Sequence, residues 1–266
     1  MKRRVVLLLL SLLLLPLAVR ANEAIKVGDE TIAIPLPTGF VRFDGLNPQV
    51  DQLMQSMIPP TNRSLLVGAT AQDAALAKAK TPGNLSRFMN IQTMVKVEGE
   101  KISLSEFETV RGELEKQFAA SGTGPEGFQS EVNKRIADAK LPIALKLGET
   151  RMLGVYEKSD RSIDMGMMMN TQVGTQAPET MVAAASCVDV RGKVLFLYVY
   201  ADYHNQADVD WTRTTVKSWR ESILATNPGG TPAGGFDWNS IMGKAVIGAC
   251  IGGGIGLLSM LFKKKA

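Results

Sequence analysis

One histidine and two cysteines in 266 residues leave little room for two large classes of chemistry. A histidine-ligated zinc site or a Ser-His-Asp triad would have to be built around His204 alone. That residue sits in Asp202-Tyr203-His204-Asn205-Gln206, a polar run that reads as an exposed turn after a strand. The sequence has no HExxH, no CxxC and no glycine-rich phosphate loop behind a strand. Cys250 falls in an apolar segment near the C-terminus, so Cys187 has no intrachain partner and is expected to be a buried free thiol. The core must then rest on apolar packing, and no cofactor is expected.

Charge is missing from two stretches. Residues 5–19 are apolar apart from Ser11 and Pro16, follow Met1-Lys2-Arg3-Arg4, and end in Val19-Arg20-Ala21. These are the parts of a secretory signal peptide, expected over 1–21 with cleavage after Ala21. At 1.5 Å per residue the run reaches about 22 Å, short of a roughly 30 Å hydrocarbon core. An uncleaved N-terminal anchor is the competing reading. Residues 245–262 also carry no charge and reach about 27 Å as a helix. With the preceding turn, in which Lys244 can snorkel, they predict a transmembrane helix over 241–262. Lys263, Lys264 and Lys265 then mark a cytoplasmic tail over 263–266, and Phe236 and Trp238 suit the outer interface. The expected protein is single-pass in a bacterial inner membrane, with its folded mass outside and the lipid bilayer as a partner.

The formal charge of +4 invites a nucleic-acid reading. Eight of the 30 Lys and Arg lie in the two terminal segments, however, leaving 22 against 26 acidic residues and a net of about −4 outside them. Nucleic acid is not an expected partner.

Residues 22–226 suffice for one sizeable domain. Ile25 to Leu36 reads as a hairpin turning at Gly28-Asp29-Glu30, and Asn47-Pro48 as a helix start. Strands are expected at 64–69 and 88–97, with a surface helix between them over 72–80. Ser103 and Glu106 form a capping box, after which Phe107, Val110, Leu114 and Phe118 recur at helical spacing. Phe128, Val132 and Ile136 repeat the pattern for a following helix. Four strands are expected at 151–157, 162–173, 181–190 and 194–203, then a helix from 210 whose stripe is Trp211, Thr215, Trp219 and Ile223. Short turns between strands, with helices grouped around them, predict an α+β fold with a mainly antiparallel sheet and flanking helices, plus the C-terminal transmembrane helix. The opening Ile32-Ala33-Ile34-Pro35-Leu36-Pro37-Thr38-Gly39-Phe40 and the closing long strand plus helix resemble the PsbP-like α+β fold; the resemblance is one of architecture and carries no functional residue. Residues 227–240 read as a Gly/Pro linker and juxtamembrane segment, the ten residues from Thr226 reaching about 17 Å.

Three groups remain as candidate sites. Met165, Met167 and Met169 would share one face of a strand, where thioether sulfurs could hold Cu(I). No neighbouring His or Cys in sequence reinforces them, and filling of an irregular core competes with the copper reading. Gly248, Gly252 and Gly256 form a doubled GxxxG along one face of the anchor, a groove for a second copy or a partner helix. Asn62 and Asn84 match the glycosylation pattern and are read as polar loop residues. The expected function is a non-enzymatic binding or envelope-assembly module. An envelope enzyme using carboxylates is one alternative. The other is a surface protein with a processed tail similar to GlyGly-type sorting signals, although the triple glycine lies inside the apolar stretch.

Overall fold

The structure, a computed structural model, describes residues 22–79, 85–120, 128–140 and 144–229. The expected signal peptide, transmembrane helix and tail lie outside them, as do Trp238, Gly248, Gly252, Gly256, Lys263, Lys264 and Lys265. Among the described residues no helix is long and apolar enough to cross a membrane. In chain order the elements are β1 (Asn22–Val27), β2 (Glu30–Pro35), β3 (Phe40–Arg42), α1 (Pro48–Met57), β4 (Asn62–Thr70) and α2 (Ala71–Lys78). There follow β5 (Arg87–Met94), a 3-10 turn (Val95–Val97), α3 (Leu104–Ala120), α4 (Phe128–Asp138), β6 (Leu145–Ser159), β7 (Ser162–Val173), β8 (Glu179–Val190), β9 (Lys193–Asp202) and α5 (Gln206–Thr226). The α+β class with a mainly antiparallel sheet is observed.

Seven strands pair in the order β3-β4-β5-β9-β8-β7-β6, every neighbour antiparallel. β9 lies in the middle and all ten of its residues are buried, which is why its sequence is apolar on both faces. It joins β8 through Arg191 and Gly192, both at positive φ, the conformation whose twist matches a two-residue hairpin.

Helices α1 to α4 cover one face. Phe107, Val110, Leu114 and Phe118 of α3 and Val132 and Ile136 of α4 pack there against Phe88, Tyr198, Tyr200 and Cys187. Each such side chain contributes about 1.5–3 kcal/mol of transfer free energy. The expected capping box starts α3, Ser103 Oγ accepting from Glu106 N at 3.3 Å and Ser103 N donating to Glu106 Oε2 at 2.6 Å.

The hairpin β1–β2 and α5 cover the other face, burying Ile25, Val27, Ile32, Ile34, Val216, Trp219 and Ile223 over Ile91, Leu197 and Val188. α5 starts four residues before 210 because Asn205 and Asp208 form a capping box of their own. Its buried stripe runs Val209, Thr212, Val216, Trp219, Ile223, leaving Trp211 and Thr215 on its margin rather than on its axis. The helix ends on Asn227, whose side chain is shared with β2. Asn227 Oδ1 accepts from Ala33 N at 2.9 Å, and Nδ2 donates to Ala33 O at 2.7 Å and to Ile223 O at 2.8 Å.

The edge strand β6 is 15 residues long and begins six residues before the expected 151. Three register shifts against β7 break its alternation, and Lys146, Glu149, Arg151, Glu157 and Lys158 punctuate it. Bulges and charges are how an open sheet edge is kept from pairing with other chains.

Candidate functional site

Pairing of β6 with β7 sets Glu157 directly opposite Asp164, and β8 adds Ser186 beside Asp164. α5 lays Arg220 over this row. Its guanidinium reaches Asp164 Oδ2 at 3.0 Å, Ser162 Oγ at 2.7 Å and Glu157 Oε1 at 3.2 Å. Lys217, one turn earlier, holds Glu157 Oε2 at 2.6 Å. The two carboxyls titrate in opposite directions. Burial pushes Asp164 above the usual carboxylate range, only partly offset by the Ser186 hydroxyl and Arg220. The hydrogen bond from Lys217 holds Glu157 below that range, with Arg220 adding to it.

Carboxylates driven apart in this way are the raw material of acid–base catalysis. Here the side chains of Arg220 and Asp164 are 4 % and 3 % exposed, and the guanidinium fills the space between the carboxyls. No reactant can come between them without displacing Arg220. The constellation locks α5 onto the sheet.

A second charged group, at the β8–β9 turn, holds the turn of the β1–β2 hairpin. Lys193, fully buried, donates to Glu98 O at 3.1 Å and Glu100 O at 2.8 Å and pairs with Asp29 at 2.9 Å. Glu98 in turn pairs with Arg63. Gly28 is needed in that turn, since it sits at φ +58° and a Cβ there would overlap the Glu98 carbonyl. A cleft of about 200 Å³ lies between Pro35, Pro37 and Thr38 and the α5 residues Ser218, Trp219 and Ser222. That is smaller than the roughly 300–1,000 Å³ of ordinary small-molecule pockets.

A grouping of binding-type side chains surrounds the start of α5. Val209 buries Val182 and Ala201, and around them Leu153, Met168, Tyr203 and Trp211 remain half-buried. Trp211 stacks on Phe40 at 6.2 Å between ring centroids, and the guanidinium of Arg87 lies 4.3 Å from its ring. Arg213 lies 5.1 Å from the ring of Tyr156, and Arg151 Nη2 is 3.1 Å from Met168 Sδ. Aromatic residues, Met and Arg are the types enriched at protein interfaces.

No protein-family model matches the chain. No curated protein sequence matches it either. Among the solved structures that align at low similarity are two of Mog1 proteins. One is a mutant of the protein Mog1, at 10% identity over 77% of this chain and 92% of that one, with a TM-score of 0.33. The other is the Saccharomyces cerevisiae Ran-binding protein Mog1p, at 10% identity over 77% and 95%, with a TM-score of 0.31. Likeness at this level assigns neither partner nor activity.

Met165, Met167 and Met169 do share one face of β7 and are all buried, in the apolar layer beneath the helices with Ala183, Ala185 and Phe88. His204 is in the loop after β9, its side chain 73 % exposed and 3.5 Å from Asp208. Cys187 is buried as a free thiol, and burial raises its pKa far above the ordinary thiol value. Asn62 departs from the loop expectation: it opens β4, is 7 % exposed, and donates to Gln92 Oε1 at 2.9 Å. A polar residue at a strand end is paired inside the fold when its cross-strand neighbour offers an acceptor. Asn84 lies outside the described residues. Sequence reasoning missed Arg220, Asp164 and Glu157 as a group, and Arg87, Arg151 and Arg213 around the start of α5.

Proposed function

We propose that this chain is a membrane-tethered extracytoplasmic binding module, exported by its N-terminal signal and held by a helix over 241–262. The observation that carries the reading is the direction of α5. Its C-terminal cap, Asn227, is where the chain leaves the domain toward the linker, and its opposite end carries the Trp211 grouping. Sixteen residues separate Trp211 from Asn227, about 24 Å along a helix axis. A tether attached at one end and interface-type side chains at the other suit a module that presents a surface away from the bilayer.

The carboxylate-enzyme reading has one observation in its favour, the opposed titration of Glu157 and Asp164. It is weakened by Arg220, which occupies the position a substrate would need. Cell fractionation tests the tether. The full-length protein is expected in the cytoplasmic membrane after an alkaline wash, and deletion from Ile241 onward is expected to release a soluble periplasmic domain. Full-length protein in the soluble fraction would refute the proposal.

A further inference from the structure

On the α5 side of the sheet, register aligns Arg87 of β5 with Ala201, Val182, Met168 and Arg151 on successive strands. Arginines thus stand at both ends of a five-strand row, four inter-strand steps or about 19 Å apart. The first turns of α5 cross the middle of the row and contribute Trp211 and Arg213. Two of the guanidinium groups lie over aromatic rings, Arg87 on Trp211 and Arg213 on Tyr156, while Arg151 Nη2 donates to Met168 Sδ at 3.1 Å and keeps its other donors. Stacking of this kind orders a long side chain while leaving its N–H groups free for an anion.

Those donors are largely uncommitted. Among the described residues Arg151 and Arg213 have no ion-pair partner, and Arg87 reaches Asp208 only at 3.7 Å. Asp208 already accepts from the backbone N–H groups of His204 and Asn205 at the helix cap. Asp210 takes the amide of Gln206. The apolar floor between the arginines is Leu153, Met168, Tyr203, Trp211 and Phe40, all half-buried.

We propose that this end of the domain docks an acidic segment of another envelope protein. Planar guanidinium forks match carboxylates two donors at a time, and the floor accepts apolar side chains between them. Carboxylates that engage Arg87 and Arg151 together would be about six residues apart in an extended segment. An anionic membrane offers similar charge, but the face stands about 24 Å along α5 from the tether, so bringing it to the bilayer would stretch the fourteen residues 227–240 past their r.m.s. reach of roughly 19–22 Å. That exclusion rests on the tethered reading above.

The test places a photoreactive benzoylphenylalanine at His204, on the rim, in the full-length chain within the cells that make it. After irradiation the crosslinked peptide is sequenced by mass spectrometry. The expected adduct joins His204 to an acidic segment of a different protein. Its yield should fall at least tenfold with Arg87→Glu, with Arg151→Glu or with Arg213→Glu, and stay unchanged with Lys134→Glu on α4. An adduct to lipid, to a second copy of this chain or to a segment without carboxylates would overturn the proposal. So would an adduct that survives charge reversal, or none at all. Fractionation of the same cells separates the two readings: membrane-bound protein without the adduct sinks the docking proposal alone, and soluble full-length protein sinks the tether.

Discussion

Replacing Arg220 by Met should leave Asp164 as a buried carboxylate without its cation. The arginine side chain is 4 % exposed and the aspartate 3 %, so water cannot take over the lost contact. Breaking a buried pair from one side costs about 3–5 kcal/mol. Met lacks the three terminal heavy atoms of the guanidinium, so part of the fall is a packing loss that does not vary with pH. For a domain of about 200 residues each kcal/mol moves the midpoint by about 2–4 °C, giving a fall of about 6–20 °C near neutral pH. The loss should depend on pH in one direction. Asp164 has a folded pKa already raised by burial, and removing Arg220 raises it further. A carboxyl raised on folding costs stability as pH climbs from its unfolded value, about 3.9, through its folded value, and costs nothing below both. Thermal unfolding of purified Arg220→Met and wild type should therefore differ widely at pH 7.5 and much less at pH 4. Arg220→Met combined with Asp164→Leu should recover most of the stability, because Glu157 is 37 % exposed and keeps Lys217. A single variant equally weakened at both pH values, or a double variant no better than the single, would refute this account of how α5 is held.

Gly166 lies under the Tyr156 ring, where a Cβ would overlap the hydroxyl. Gly166→Ala should cost about 1–3 kcal/mol in urea unfolding, with most of the loss absent in a Tyr156→Ala background. Within the proposed anchor, Gly252→Leu should reduce helix association in a membrane reporter assay, while Ile251→Leu should not. Equal signals from wild type and Gly252→Leu would leave the glycines without a packing role.

Much of the sheet was readable in the sequence because one period ruled each segment. β7 has the bounds expected of it, 162–173, and α3 buries the four residues its spacing singled out. β6 was cut short because bulges between Leu147 and Thr150, Met152 and Gly154, and Val155 and Glu157 erase the alternation by which strands are recognised. β3 escaped notice, being three residues long behind a glycine turn. Trp219 and Ile223 of the expected α5 stripe are buried, but its first half is displaced by one position, Thr212 and Val216 being enclosed where Trp211 and Thr215 are expected. The Arg220 network was invisible for a different reason. Glu157, Asp164 and Arg220 look like surface residues until strand register and the docking of α5 bring them together, and neither is encoded in local pattern.

The bond between Asn227 and Ala33 also fixes how force enters the domain. A pull on the chain beyond Gly229 arrives first at a side chain that grips both the N–H and the C=O of one residue in β2. Load is divided at that point between the last turn of α5 and the hairpin, instead of unwinding the helix one hydrogen bond at a time. The hairpin is itself stapled at its turn by Lys193, buried at the end of the central strand, so tension drains into the middle of the sheet. An anchorage of this form resists peeling and would fail by shear.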